Sequence, residues 1–256
     1  MHIDGIRAFA LGGLYGGLAG VLYVGLVGFI APTSASITEM FFVLAMVIIG
    51  GRHSLAGDPP AHRDRHLGIV DQISGHFRHA PDAVFLEPLA EPHDRLDPLW
   101  NAYLADTLTV ARAQHPTRPI LVGPAFFNTV RALPALQLPV GDRHLIVTLH
   151  HYWPLEFTFQ GETWFTGSDT QAWLGTTWQP TPDRTAVLDA GFAQIAEWST
   201  RHDRPIFLGE FGTTSHADMS SRAAWTRYNR ELAEHHGFSW CYWSYGPSAG
   251  DRYPGR

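Results

Sequence analysis

Short apolar runs alternate with helical patterns along most of this chain, and that alternation restricts the fold more than any other feature. Consecutive strands that are separated by helices lie parallel in one sheet and are joined by right-handed crossovers. We therefore predict an α/β fold built on a parallel sheet. The predicted strands are Val84–Leu89, Pro119–Gly123, Leu145–His150, Ile206–Glu210 and Phe238–Trp243.

Two of these strands lead into a glutamate. Glu91 lies at the end of the stretch Val84–His93, and Glu210 lies near the end of Pro205–Gly212. The carboxyl ends of parallel barrel strands meet at one face, so the two side chains are expected to lie close together. A pair of carboxyl groups over one substrate is the equipment of glycoside hydrolysis. Either glutamate by itself would more often cap a helix or carry a surface charge, and the matching positions favour the catalytic interpretation.

Four short motifs occur in the part of the chain from about Asp58 to Gly246. They are Glu91-Pro92, His150-His151-Tyr152, Gly209-Glu210-Phe211-Gly212 and Trp240-Cys241-Tyr242-Trp243. In these motifs and their order the chain resembles glycoside hydrolase family 5, the cellulase-like enzymes. The resemblance implies a (β/α)8 TIM barrel. Five strands are predicted here against the eight of a closed barrel, and the missing portion corresponds to the family's first three strands.

The resemblance also implies roles for single residues. Glu91 would be the acid/base and Glu210 the nucleophile. His150 and Tyr152 alternate along their strand and point to the same side. The family would use His150 to hold substrate hydroxyls and Tyr152 to hydrogen-bond the nucleophile. The aromatic side chains expected to bind the sugar are those of Trp243 and Trp153.

Three departures from the family pattern bear on activity. Ala90 stands where the family has an asparagine that hydrogen-bonds the sugar 2-hydroxyl, and His151 stands in place of a tyrosine. The absent first strands would supply an arginine and a histidine to the same site. The sequence therefore predicts impaired activity.

Several functional classes are excluded by composition and by missing motifs. The net charge of −6 argues against a nucleic-acid partner, and the absence of lysine removes Schiff-base and P-loop chemistry. Neither a His-Glu-x-x-His motif nor a Gly-x-Ser-x-Gly motif occurs. We predict no metal and no cofactor. The single cysteine, Cys241, lies in an apolar run and is predicted to be a small buried residue.

The first 57 residues differ in composition from the rest. Ala8–Ile30 contains 23 residues without a charge, and Met40–Gly51 is a second, shorter apolar run. We predict one or two membrane-type helices, with a signal segment and a buried soluble helix as alternatives. Residues 5–57 also resemble part of the permease subunit of branched-chain amino-acid ABC transporters. The predicted domains are an apolar segment, 1–57, and an incomplete barrel, 58–256.

The sequence thus predicts a retaining β-glycosidase of the cellulase class that acts on a β-linked oligosaccharide or polysaccharide. Two alternatives belong to other classes. One is a non-catalytic carbohydrate-binding remnant, and the other is a membrane permease fragment that carries the barrel as a passenger. Membrane association through residues 8–51 is the expected location, with a secreted or cytoplasmic protein as the alternative.

Overall fold

A computed structural model describes residues 55–81, 83–165 and 167–244. These residues belong to one compact unit, Gly51–Arg256. Both predicted membrane segments, Ala8–Ile30 and Met40–Gly51, lie outside the described residues. Within the described ranges, no helix is both long enough and apolar enough to cross a membrane.

The centre of the unit is a parallel sheet of four strands in the order β1-β2-β3-β4. Each strand pairs with the next one along the chain, as in the wall of a (β/α)8 barrel. The prediction of a parallel α/β sheet is confirmed, and the sheet forms part of a barrel. The strands are β1 (Ile120–Val122), β2 (Leu145–His151), β3 (Ile206–Phe211) and β4 (Ser239–Tyr242).

The described residues also form four long helices: α1 (Pro59–His76), α2 (Trp100–Gln114), α3 (Pro182–His202) and α4 (Met219–His235). Asp58 caps α1 by accepting a hydrogen bond from the Ala61 amide, and Asp218 caps α4 by accepting from the Ser221 amide. Shorter helical segments are Asp94–Leu99, Ala125–Asn128, Val130–Ala135, Leu155–Thr158 and Thr170–Trp173.

The hydrophobic core lies between the sheet and the helices. Val147 and Leu149 of β2 are fully buried, as are Phe192 of α3 and Trp225 of α4. Burying each such side chain contributes about 1.5–3 kcal/mol. The alternation of strands and helices in the sequence therefore produces a core with one sheet face packed against amphipathic helices.

The first predicted strand, Val84–Leu89, is wrong as a strand. Only Leu86 makes a ladder contact, a single parallel bridge with Ile120 of β1. The Leu121 amide donates to the Leu86 carbonyl over 2.7 Å. Pro88 lacks an amide hydrogen, which prevents the ladder from continuing. The segment still leads toward Glu91 at the carboxyl edge of the sheet.

Arg118 holds the turn that precedes this segment. Its side chain is buried and donates to the backbone carbonyls of Pro81, Val84, Ala80 and Phe77. A guanidinium group can bind several carbonyls at once because it presents five donors in a rigid plane. This contact anchors the chain at the entry to the Glu91 segment.

The prediction that Cys241 is buried is wrong, because Cys241 is exposed. Its strand, β4, pairs with β3 and with no other strand of the described chain. Trp240 beside it is also 39% exposed. An apolar run in a barrel sequence predicts a strand buried on both faces, but β4 is an edge strand in the described part of this protein.

Candidate active site

The carboxyl edge of the sheet brings together three of the predicted site residues. His150 is at the end of β2, and its Nδ1 lies 2.8 Å from Glu91 Oε1 and 3.5 Å from Glu210 Oε2. One oxygen from each glutamate and one His150 nitrogen all lie within 4.8 Å of one another. The two carboxylates therefore face each other across a nearly buried imidazole.

Glu91 reaches this position through an unusual backbone conformation. Its φ angle is 52°, in the left-handed region that is uncommon for residues other than glycine. The carbonyl of Glu91 lies 2.7 Å from Nδ1 of His93, a buried histidine two residues further on. Strained backbone of this kind is concentrated at functional sites.

Tyr152 lies against the second carboxylate. Its hydroxyl donates to Glu210 Oε2 over 2.7 Å, as the sequence predicts. Burial raises the pKa of Tyr152 far above its ordinary value, and the negative charge of Glu210 adds to that rise. Tyr152 therefore remains a protonated donor throughout the usual pH range.

His150 is held among carboxylates. Burial alone would lower its pKa, but the hydrogen bond with Glu91 and the charges of Glu210, Glu91 and Glu87 outweigh burial and raise it. Its second ring nitrogen, Nε2, lies 3.3 Å from Nδ2 of Asn128. Both ring nitrogens therefore have polar partners inside the protein.

Glu87 is a third carboxyl group beside the pair, and the sequence does not single it out. Burial raises its pKa to about 7, with a further rise from the charges of Glu210 and Glu91. The positive charge of His150 and a hydrogen bond with the Asn128 side chain act in the opposite direction. The sequence predicts Val84–Leu89 to be a regular strand, and nothing in that pattern distinguishes Glu87 from an ordinary strand residue.

Asn128 is the second residue of this group that sequence reasoning misses. It is fully buried and has a φ of 56°, following two other left-handed residues, Phe126 and Phe127. Gly123 makes room for it, because a Cβ atom at that position would lie 2.1 Å from Asn128 Oδ1. The tight approach of Asn128 to the chain at Gly123 directs its amide toward His150.

The two predicted sugar-binding tryptophans are each 49% exposed. Trp153 directly follows Tyr152, and its carbonyl accepts a hydrogen bond from Trp225. Trp243 lies just after β4, and its amide donates to the Phe211 carbonyl. Gly212 is required there because a Cβ atom would lie 1.8 Å from the Trp243 carbonyl oxygen.

The long loop after β2 supplies a further exposed aromatic residue, Trp164, which is 56% exposed. Its indole nitrogen donates to Glu162, a buried carboxylate that also accepts from Thr214. Phe159 links the loop to the site, with ring centroids 5.2 Å from Trp164 and 5.0 Å from Tyr152. The aromatic content of the loop predicts a substrate-facing segment but does not identify Trp164.

His151, the neighbour of His150, lies outside this group. Strand alternation directs it to the opposite face, where it is partly buried and stacks on Trp225 with ring centroids 6.0 Å apart. Burial lowers its pKa to about 4. His151 therefore belongs to the core behind the site.

The donor set of Glu91, His150 and Glu210 also has the chemistry to bind a metal ion, since it offers two carboxylates and an imidazole. The same atoms already have partners: His150 contacts Glu91, and Tyr152 donates to Glu210. Two facing carboxylates with these supporting donors are sufficient for glycoside hydrolysis without a metal.

A parallel partial barrel with two facing glutamates at its carboxyl edge defines the class of barrel glycosidases. The family profile described as cellulase, glycosyl hydrolase family 5, matches residues 52–249. The chain therefore belongs to glycosyl hydrolase family 5.

Individual relatives agree with this assignment. Endoglucanase H of Acetivibrio thermocellus is 28% identical over 204 residues, which cover 78% of this chain and 21% of that protein. A structure of endoglucanase Cel5A from Thermotoga maritima has 37% identity and a TM-score of 0.72, covering 77% of this chain and 62% of that one. Cel5A in complex with cellobiose gives a TM-score of 0.75 at 32% identity, covering 87% of this chain and 75% of that one.

The chain spans only part of these relatives. It covers 21% of endoglucanase H and 54% of cellodextrinase A from Ruminococcus flavefaciens. The comparisons give no support to the resemblance of residues 5–57 to a transporter permease, and the family match begins at residue 52.

Proposed function

We propose that this chain carries the catalytic site of a retaining β-glucanase. The observation that supports the proposal most strongly is the separation of the two carboxylates, whose oxygens lie within 4.8 Å of each other. Retaining glycosidases hold their carboxyl groups about 5–5.5 Å apart, whereas inverting enzymes need about 6.5–9.5 Å to admit a water molecule. The short separation favours a covalent intermediate.

In the proposed reaction Glu210 is the nucleophile and Glu91 is the acid/base. The Glu210 carboxylate attacks the anomeric carbon while Glu91 protonates the departing glycosidic oxygen. Glu91 then removes a proton from water, which cleaves the glycosyl ester on Glu210 and releases the sugar with its original configuration. Tyr152 keeps the Glu210 carboxylate in place, and His150 does the same for Glu91.

The proposed substrate is a β-1,4-linked glucan. Cel5A from Thermotoga maritima has been solved with cellobiose and with mannotriose. The exposed Trp153, Trp164 and Trp243 offer flat faces on which such sugars can stack. Cello-oligosaccharides and manno-oligosaccharides assayed side by side test this choice.

The test of catalysis compares the unsubstituted chain with Glu91→Gln and Glu210→Gln on an aryl β-cellobioside. We expect each variant to lose activity by a factor of 10² or more, the lower range for loss of a positioned acid or base. Glu156→Gln is a matched control, because that side chain lies on the surface at the start of a short helix. A Glu210→Gln variant that is as active as the unsubstituted chain would overturn the proposal.

Impaired activity is part of the proposal. Ala90 offers no side-chain hydrogen bond to a sugar, and removal of one donor to a transition state costs on the order of 10²–10³ in rate. The four described strands also form an open sheet rather than a closed barrel. We therefore expect turnover well below that of family members with a closed barrel.

A non-catalytic carbohydrate-binding protein is the second candidate, and the exposed tryptophans favour it. Binding without hydrolysis would leave the retention of the chain on cellulose unchanged in Glu210→Gln and reduced in Trp243→Ala. The catalytic proposal instead requires product formation that depends on Glu210. Membrane association through residues 8–51 stays a prediction from the sequence, and fractionation with and without residues 1–57 tests it.

A further inference from the structure

Asn128, Glu87 and His150 form a buried polar group immediately behind the two catalytic carboxylates. Nδ2 of Asn128 lies 3.3 Å from Nε2 of His150, and the charge of Glu87 raises the pKa of His150. Asn128 Oδ1 and Glu87 Oε1 are both buried and accept no hydrogen bond from the described residues. The Asn128 amide therefore faces the imidazole, beside a third carboxyl group.

The direction of these contacts determines the state of His150. An amide nitrogen is always a donor, so it can bind Nε2 only when that atom carries a lone pair. The ring proton of neutral His150 must then lie on Nδ1, which is the atom that faces Glu91 Oε1 at 2.8 Å. The opposite tautomer would place two donors against each other at Asn128 and two acceptors against each other at Glu91.

We propose that Asn128 is a positioning residue for His150, because its amide donates to Nε2 and thereby fixes which imidazole nitrogen donates to Glu91. The inference deepens the proposed function and rests on it for the role of Glu91. The close approach of Asn128 to Gly123 leaves no room for a Cβ atom at Gly123 and helps to hold the amide in this orientation.

Protonation of His150 changes what the amide must present. Charged His150 has a donor at Nε2, so Asn128 has to turn and offer Oδ1, which otherwise has no partner. A gain of charge at His150 therefore reverses the orientation of the Asn128 amide.

The charged groups that face this pair come from each neighbouring element. Glu210 on β3 and Glu91 on the preceding loop both lie near His150 and Glu87. Both carboxylates favour a proton on either group. Their charges, together with that of Glu87, favour the charged form of His150.

The first test measures the tautomer of His150 by long-range proton–nitrogen NMR on the uniformly labelled protein, with the signal assigned by loss in His150→Gln. We expect neutral His150 to carry its proton on Nδ1. A proton on Nε2 would overturn the proposal.

The second test uses two nearly isosteric substitutions. Asn128→Asp replaces the donor with an acceptor, so the proton of neutral His150 should move to Nε2 and its pKa should rise by about one unit or more, a tenfold change in proton binding. Glu87→Gln removes a negative charge and should lower the pKa of His150. Asn101→Asp, on α2, is the matched control, because its amide makes comparable contacts with Ala135 and Gln137.

Unchanged His150 signals in both Asn128→Asp and Glu87→Gln would show that the group is merely structural and would overturn the proposal. If Asn128→Asp does not fold, the tautomer of the unsubstituted protein and the Glu87→Gln titration decide. None of these measurements requires turnover. A protein with the expected NMR behaviour and no hydrolysis would contradict the proposed function alone.

Discussion

Tyr152 is the residue whose contact with the proposed nucleophile is most direct, through a hydrogen bond of 2.7 Å to Glu210. A donor fixed at this distance keeps the carboxylate oriented and ionised. The bond connects the residue just after β2 with Glu210 on β3. The register of these two strands pairs His150 with Glu210. The position of the nucleophile therefore depends on both strands.

Tyr152→Phe removes only the hydroxyl and should lower kcat by a factor on the order of 10²–10³, the effect of losing one well-placed donor. KM should change little, because the lost hydroxyl hydrogen-bonds the protein's own Glu210 carboxylate. Steady-state kinetics on an aryl β-cellobioside measure both constants.

Tyr228→Phe is the matched control, since the Tyr228 hydroxyl also donates to a carboxylate, Asp189, on the surface. It should leave kcat unchanged. Equal kcat values for Tyr152→Phe and the unsubstituted chain would contradict the role given to Tyr152.

The sequence predicts those site residues that follow directly from strand geometry. Glu210, His150 and Tyr152 lie at strand ends, where pairing fixes their neighbours. Glu87 and Asn128 could not be predicted in the same way, because their positions depend on departures from regular structure. Glu87 lies in a segment that is not a full strand, and Asn128 lies in a left-handed turn that no glycine marks.

At the scale of elements, the entry to the Glu91 segment depends on Arg118. Its guanidinium group binds carbonyls on both sides of the turn between α1 and Leu86. The ammonium group of lysine is a point donor and cannot reproduce this planar pattern. The turn should therefore be sensitive even to a substitution that keeps the charge.

Arg118→Lys should lower the free energy of unfolding by about 1.5–3 kcal/mol, the value of one hydrogen bond to a charged group. Urea unfolding followed by circular dichroism measures this change. Arg65→Lys serves as the control, because Arg65 lies on the exposed side of α1 and its replacement should stay within about 0.5 kcal/mol. A stability for Arg118→Lys equal to that of the control would show that the turn does not need the guanidinium group.

The contact between α1 and α2 makes stability depend on pH. His66 on α1 lies 3.0 Å from Thr107 on α2, and burial lowers its pKa to about 4. The unfolded chain binds a proton at this histidine near pH 6.5, so the free energy of unfolding falls as the pH drops from 6.5 to 4. Each pH unit in this range is worth up to about 1.4 kcal/mol. Glu87 has the opposite effect on the free energy of unfolding. Its raised pKa lets the folded protein bind a proton at a higher pH than the unfolded chain does.

His66→Gln keeps a polar partner for Thr107 and removes the titration, so stability should fall less steeply between pH 6.5 and 4. Urea midpoints at several pH values measure the slope. His79→Gln is the control, since the His79 side chain is exposed. Identical slopes for His66→Gln and the unsubstituted protein would contradict the assignment to His66.

At the scale of the whole molecule, the described sheet has four strands, and β4 has a neighbour on one side only. Parallel strands and their order follow from the sequence alternation alone. The exposure of β4 does not, because burial at an edge depends on what lies beside it. Trp240 on β4 and Trp243 directly after it are consequently 39% and 49% exposed.

A chain in which the first three strands of a family 5 barrel replace residues 1–57 should hydrolyse cello-oligosaccharides much faster than the present chain. We expect the added strands to pair with β4 and to supply the arginine and the histidine that the resemblance implies for the site. Ala90→Asn by itself should restore little activity. The chain that combines this substitution with the added strands should be the most active. The outcome that contradicts this account is turnover by the present chain at about 1–10³ per second, the range of ordinary enzymes.

The central claim is that Glu210 forms a covalent bond with the sugar while Glu91 lies opposite it. Incubation with a 2-deoxy-2-fluoro-β-cellobioside that carries a good leaving group should trap this ester, because the fluorine slows the hydrolysis of the intermediate. Mass spectrometry of the intact protein and of its peptides measures the adduct. The account predicts one added glycosyl group, located on Glu210 and absent from Glu210→Gln. A label on another residue, or no label at all, would contradict it.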